Sequence, residues 1–397
     1  MNLSTAMDPA VWITFSVAAL AALLGLWTRF LPIWAAGMAT GTEDDTDDPE
    51  PEGARQLPSV SVIVYTFTEQ EELDSYLDTL LSQDYPDYEV IIVNEGSAET
   101  TATLSDQLAK RFGKRVYVTF IPHDAHNLSR RKLAYTVGIK AAKGDVVLTT
   151  ASNCRIPSSR WLSDMMRPFR EDSLCEIVLG FTHIDFRNLH GAGKWYRQMD
   201  YTLTSCQWIG SARLSHPYRG DCFNLAYLRS RFFEQKGYSR TIQLVNGDDD
   251  IFLRPFMTGD NTEVVISHDS ILTSEWGDSA NRILSETKAR YQFTSEFLPR
   301  LPFVRAGIGS FMQWITLIAA TGAALLGLPS LTPAIVAGVF IIVLWISQIL
   351  IYRRAARRLE AVCLWWSLPV FLLWHPIGNL IFRLRHRSQR RKNYTFA

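Results

Sequence analysis

The chain has five cysteines in 397 residues, and none of them forms a Cys-x-x-Cys pair or stands near a histidine. Scattered at Cys154, Cys175, Cys206, Cys222 and Cys363, they give neither a disulfide framework nor a structural zinc site, and a reducing compartment is expected. Net charge is absent too, with 40 basic residues against 40 acidic. The basic C-terminal tail is not accompanied by a basic surface interleaved with aromatics, which argues against nucleic acid as a partner. No internal repeat is present. The first long apolar run, Ala10–Thr28, is not preceded by the basic residues that open a cleaved leader, so it is expected to be a retained anchor.

What is present is unevenly distributed. Gly41–Gln56 is acidic and turn-rich with almost no apolar residue, the composition of a disordered tether. RLRHRSQRRK, Arg383–Lys392, is strongly basic and adjoins apolar segments, as expected of a flank at an anionic membrane surface. Ala10–Thr28 is long enough to cross a bilayer, and Arg29 after it favours a cytoplasmic C-terminal side. Two further apolar runs, 308–328 and 331–351, are separated by Pro329-Ser330 and read as a transmembrane hairpin returned by YRRAARR. A third, 362–382, is broken by Pro369, His375 and Pro376. Crossing would put the basic tail outside, so a re-entrant or interfacial segment is preferred to a spanning one. The expected organisation is an anchor (1–38), an acidic linker (39–57), a cytoplasmic domain (58–300), the hairpin, the third apolar segment, and a basic tail (383–397).

Within 58–300 the signals alternate. VSVIVY, EVIIVN, RVYVTFI and DVVLTT read as strands, and Glu71–Gln83, Thr100–Phe112 and Ser129–Lys143 read as helices. Near-continuously apolar strands alternating with helices predict an α/β fold whose parallel sheet is covered on both faces. In such sheets ligands bind at the carboxyl ends of the strands, here Tyr65–Glu69, Asn94–Ser97 and Thr150–Arg155.

The motifs come in a telling order: SVIVYTFTEQEEL, EVIIVNEGSAETT, NLSRRKLAYTVGIKAAKGD, ASNCRIPSSRWL, GDCFNLAYLRS, NGDDDIFL and TKARY. Taken together, over about Pro58–Phe297, they resemble a membrane-bound family 2 glycosyltransferase of the cellulose-synthase-like, bacterial envelope polysaccharide type. That resemblance implies the Rossmann-like A-type nucleotide-diphospho-sugar transferase fold flanked by transmembrane helices. It also implies that ASNCRIPSSRWL stands in place of DADCxPxxxWL, and TKARY in place of the QxxRW of processive relatives.

Glycosyl transfer needs a base at the acceptor hydroxyl and a cation at the departing diphosphate. Asp248, Asp249 and Asp250 offer the base, because crowded carboxylates raise one another's proton affinity. Asp249 is favoured, with Asp250 the neighbouring alternative. Arg290 is the candidate diphosphate clamp, since arginine binds phosphate bidentately; Tyr291 can stack at the acceptor or donor. Thr68, Glu69, Asn94, Glu95, Lys132, Ser152 and Asn153 are the expected donor-side residues. Asp221, Asn224 and Asp248 join Tyr291 on the acceptor side. By the resemblance, the last acid of the metal motif would bind Mg2+ or Mn2+ bridging the diphosphate. Here its two acids are Ala151 and Asn153, so only the Asn153 carbonyl is on offer, and hard cations want anionic oxygen. Either other groups complete a metal site, or protein cations such as Arg155, Lys132 and Arg290 replace it.

The expected function is inverting transfer from a nucleotide-diphospho-sugar, with a UDP-sugar as the expected donor, to a lipid-linked or polysaccharide acceptor. The expected place is an inner membrane, multi-pass, among membrane lipids, with the domain in the cytoplasm. The competing expectation is a catalytically reduced nucleotide-sugar-binding scaffold in envelope polysaccharide assembly.

Overall fold

The computed structural model describes residues 9–38, 57–66, 70–95, 98–121, 128–169, 173–191, 193–361, 364–387 and 393–395. Nearly all of the acidic linker, together with Thr68, Glu69 and the Gly96-Ser97 turn, lies outside the described residues.

Helix α1 (Pro9–Gly25) runs through a π-helical turn, Leu26–Phe30, into α2 (Leu31–Ala36). The expected alternation follows: β1 (Val60–Thr66), α3 (Gln70–Leu80), β2 (Tyr88–Glu95), α4 (Ala98–Phe112), β3 (Val116–Ile121), α5 (Arg130–Ala141) and β4 (Val146–Ala151). Shorter pieces come next: β5 (Cys154–Arg155), α6 (Trp161–Met166), β6 (Ile177–Leu179), β7 (Thr182–Ile184), the long α7 (Lys194–Arg213), β8 (Leu225–Leu228), α8 (Arg229–Glu234), α9 (Asp250–Leu253), β9 (Thr262–Val264) and β10 (Leu272–Ser274). The chain ends with α10 (Ala280–Thr294), α11 (Arg300–Leu326), α12 (Thr332–Arg358) and α13 (Leu368–His386).

The main sheet has the order β3-β2-β1-β4-β8-β6-β9, and a small one the order β5-β10-β7. The first four strands are parallel, as expected. The sheet as a whole is mixed, because β8 pairs antiparallel with both β4 and β6. Strand periodicity explains the two cores. Val62, Val64, Val90, Ile92 and Leu148 point to one face and pack with Leu73, Leu77, Leu80 and Leu81 beside α3. Ile63, Ile91, Val93 and Val147 point to the other and pack with Ala134, Tyr135 and Ile139 of α5.

The second core also takes in Phe30, Ile33 and Ala36, so the end of the N-terminal helix is part of the domain interior. Arg213, at the end of α7, donates to the carbonyls of Ala35 (3.4 Å) and Met38 (2.5 Å), satisfying C-terminal groups that α2 leaves open. α7 crosses α2 at Gly210, where an added Cβ would fall 1.6 Å from the Pro32 carbonyl oxygen.

Among the described residues three helices are long and apolar enough to cross a membrane: Pro9–Ala36, Arg300–Leu326 and Thr332–Arg358. The hairpin helices outrun the apolar runs 308–328 and 331–351, because helical backbone bonding continues through the charged flanks. Gln348 Nε2 donates to Gln313 Oε1 at 2.9 Å between them, pairing two polar groups buried within apolar segments. α13, in the third apolar segment, touches the domain at both ends. At its start Trp195 Nε1 donates to Ser367 Oγ (2.6 Å). Beyond its end, Leu244 and Tyr394 form an antiparallel bridge, and Val245 N donates to Asn393 O (2.9 Å).

Replacing Gly210 with alanine should push α7 off α2 and cost about 3 kcal/mol, the upper end for overpacking. Thermal melting in detergent reads this directly. A variant melting with the parent would show that the crossing does not hold the domain to its anchor.

Candidate active site

The carboxyl ends of β1, β2 and β4 lie side by side, with Thr66 opposite Asn94 and Tyr65 opposite Ala151. Asn94 Nδ2 donates to Thr101 Oγ1 (3.3 Å). Glu95 accepts from Tyr65 Oη (2.5 Å) and pairs with Arg130 at the start of α5. Ser152 Oγ donates to Thr66 Oγ1 (3.2 Å). The donor-side candidates Asn94, Glu95 and Ser152 are therefore brought to one edge of the sheet.

The acidic run starts from a turn that only glycine serves well. Gly247 has φ +91°, and an added Cβ would lie 2.4 Å from Ile251 Cδ1. That turn delivers Asp249 to the N-cap of α9, where its carboxylate accepts from the Asp250 amide (2.8 Å). Each of the three carboxylates is buried and faces its own arginine. Arg131 NH2 lies 2.5 Å from Asp248 Oδ1, Arg290 NH2 lies 3.7 Å from Asp249 Oδ2, and Arg219 NH2 lies 3.9 Å from Asp250 Oδ2. Burial raises the proton affinity of Asp249, and the charge of Asp250 adds to it, while Arg290 and Arg131 oppose the shift. Asp249 Oδ2 is buried without a hydrogen-bond partner among the described residues. Arg219 also stacks over the Tyr291 ring, 3.9 Å from its centroid, and donates to the Tyr291 carbonyl (3.1 Å).

A cavity of about 1290 Å³ opens against this cluster, with Arg131, Asp221, Phe223, Arg290, Tyr291 and Trp276 on its wall. The Asp249 side chain, only 1 % exposed, sits behind Arg290 rather than on that wall. Asp221 accepts from the Thr182 and Phe223 amides (2.7 and 3.1 Å), and burial raises its proton affinity. Arg383 and Arg387, from α13 and just beyond it, close the far rim.

Two sequence candidates are placed elsewhere. Lys132 does not face the cavity: it is fully buried, and its Nζ donates to the Thr241 carbonyl (2.7 Å). Burial lowers its pKa to about 8. Asn224 is not an acceptor-wall residue. Its Nδ2 donates to Phe181 O (3.1 Å) and Ser270 O (2.8 Å), while its Oδ1 accepts from Trp161 Nε1 (3.2 Å). Sequence reasoning missed Arg131 and Arg219. Helical phase was the available signal for Arg131: it shares a face with Tyr135, whose hydroxyl donates to Cys222 O (3.2 Å) beside the acidic run.

The residues of the metal motif do not fit a divalent cation. Ala151 is fully buried and has no donor atom, and Asn153 turns its Nδ2 to the Glu275 carbonyl (3.3 Å). Among the described residues no group of three acids, histidines or cysteines is placed to hold a metal.

Residues 61–220 match glycosyl transferase family 2. No curated protein matches the chain. Among solved structures, a mannosyltransferase from Pyrobaculum calidifontis in complex with GDP-Man and Mn2+ aligns with 92 % of this chain and 99 % of its own, at TM-score 0.52 and 15 % identity. GalNAc-T7 with UDP, GalNAc and Mn2+ aligns with 70 % of this chain and 56 % of its own, at TM-score 0.42 and 14 % identity. The first likeness shows the fold. The acidic run and α10 lie beyond the segment matched to the family.

Because Asp249 is held in an environment that disfavours its charge, it costs stability wherever it is ionised in both folded and unfolded chains. Asp249→Asn should therefore raise the melting temperature at neutral pH. The gain should shrink as pH falls through the titration of Asp249 and vanish below the ordinary carboxylate range, where both forms are neutral. A lower melting temperature at pH 7 would mean that the Arg290 attraction outweighs burial.

Proposed function

We propose, on the premise that this chain carries a glycosyl transferase family 2 domain, that it transfers a sugar with inversion from a nucleotide-diphospho-sugar to a lipid-linked or polysaccharide acceptor. The observation that carries the reading is Asp249: a buried carboxylate of raised proton affinity, one arginine away from a large cavity. The acceptor hydroxyl attacks the anomeric carbon, the bond from that carbon to the diphosphate oxygen breaks, and Asp249 takes the hydroxyl proton. Arg290 and Arg131, on the cavity wall, receive the developing charge of the nucleoside diphosphate. Their withdrawal toward the diphosphate uncovers Asp249 and Asp248, so donor binding and activation of the base are one event.

Asn94 and Glu95 grip the nucleoside, with Thr68 and Glu69 next in sequence from β1, and a UDP-sugar is the expected donor. Asp221 and Tyr291 face the acceptor. Since the residues of the metal motif do not fit Mg2+ or Mn2+, no step is assigned to a metal. The contacts at both ends of α13 support an interfacial helix. They favour a multi-pass protein with its domain and basic tail on the cytoplasmic face of an inner membrane. A sugar-binding scaffold in polysaccharide assembly is the second reading, favoured by the covering of the carboxylates in this state.

The test is nucleotide release by the full-length protein in detergent, over UDP-, GDP- and dTDP-sugars with membrane lipid extract. Release should survive EDTA, and Asp249→Asn should lower it roughly 100- to 10,000-fold while donor binding persists. Release that requires Mn2+ would overturn the arginine assignment. Donor binding without release under any condition would favour the scaffold.

A further inference from the structure

A second cavity, of about 620 Å³, lies between the domain and the membrane helices. Its wall includes five cationic side chains, Arg29, Arg219, Lys288, Arg305 and Arg383, against one acid, Asp200. Asp200 is already engaged: Lys288 Nζ lies 2.9 Å and His375 Nε2 lies 3.0 Å from its Oδ1. Arg219 belongs to Asp250. Arg29, Arg305 and Arg383 have no acid in ion-pair range among the described residues.

Arg29 is the most demanding of the three. It stands in the π-helical turn of a 28-residue apolar helix and is 2 % exposed. Its NH1 donates to Ser310 Oγ (2.9 Å), its NH2 meets His375 Nδ1 (3.1 Å), and its Nε has no hydrogen-bond partner among the described residues. Burying a cation in such a segment is costly, and π-helical turns gather at functional sites. Phe311 and Trp314 of α11, also on the cavity wall, are exposed apolar side chains on the bilayer side. On the other side, Thr287, Tyr291 and Gln292 of α10 line both this cavity and the catalytic one.

We propose that this cavity binds the phosphate of a membrane lipid, with the head at Arg29, Arg305 and Arg383 and the tail leaving past Phe311 and Trp314. Surplus cations, an apolar exit and a wall shared with the catalytic cavity fit an anionic amphiphile and no uncharged one. The inference rests on the glycosyltransferase reading only for the lipid's role. Either the lipid is the acceptor, held with its far end toward Tyr291, or it is a bound phospholipid that keeps α10 in place.

The experiment uses the full chain in neutral-lipid nanodiscs and measures retention of three probes: a long-chain alkyl monophosphate, phosphatidylglycerol, and the same long-chain alcohol without phosphate. The phosphate-bearing probes should be retained and the alcohol lost. Arg305→Gln with Arg383→Gln, both at partly exposed positions, should weaken retention by about tenfold or more, the scale of one or two charge-assisted bonds. Arg29→Gln should do the same if it folds. An alkyl phosphate that gains a sugar is the acceptor. A phosphatidylglycerol that is retained unmodified and speeds release identifies a bound phospholipid. Equal retention of the alcohol, or full retention by the double variant, overturns the proposal. Retention measured on Asp249→Asn separates it from turnover: lost release with intact retention damages the catalytic reading alone.

Discussion

Three consecutive carboxylates buried side by side repel one another, and the structure answers with one arginine apiece. Two unit charges about 4 Å apart at an effective dielectric of ~20 interact by roughly 4 kcal/mol, so an unmatched member of the run would strain the fold. The three arginines come from separate places: Arg131 from α5, Arg219 from the approach to β8, and Arg290 from α10. Satisfying the acids thus ties α5 and the approach to β8 to α10, the helix that precedes the apolar α11. For the closest of the three, Arg131 with Asp248, removing the arginine would leave a buried charge unpaired at a typical cost of about 3–5 kcal/mol. Two of them, Arg131 and Arg290, also stand on the wall of the large cavity, so under the proposed function charge balance at rest and charge stabilisation in catalysis are two uses of one pair.

Much of the half built on β1 to β4 was legible. Apolar strands alternating with amphipathic helices forced β1 to β4 into a parallel sheet, and the leucines near α3 lie where their spacing put them. The second half was harder, because β6, β7, β8, β9 and β10 are each too short to carry a period. Their pairing is decided by contacts far apart in sequence, such as β8 between β4 and β6. Side-chain direction was the weakest point. Three neighbouring cations open α5, yet only Arg131 reaches the acids; Lys132, one residue on, is turned into the interior. Asn224 sits in a motif that suggested a site, but three buried hydrogen bonds claim it for the core.

Arg29 makes the same point at the membrane. A cation after an apolar run reads as a flank left on the cytoplasmic side. In the structure the helix continues to Ala36, and the arginine is drawn inside by Ser310 and His375. Composition places a charge near an interface. Only packing decides whether it faces headgroups, water or the protein.

The union of α2 with the domain bears on what counts as a separable piece of this molecule. Phe30, Ile33 and Ala36 share a core with the central strands, and Arg213 and Arg354 hold the carbonyls at the end of that helix. The boundary suggested by the acidic linker is therefore a boundary of sequence and not of folding. A fragment cut at the linker would leave part of its interior behind with the apolar N-terminal helix, and the protein is better regarded as a single folding unit in which that helix is a share of the core rather than an attachment.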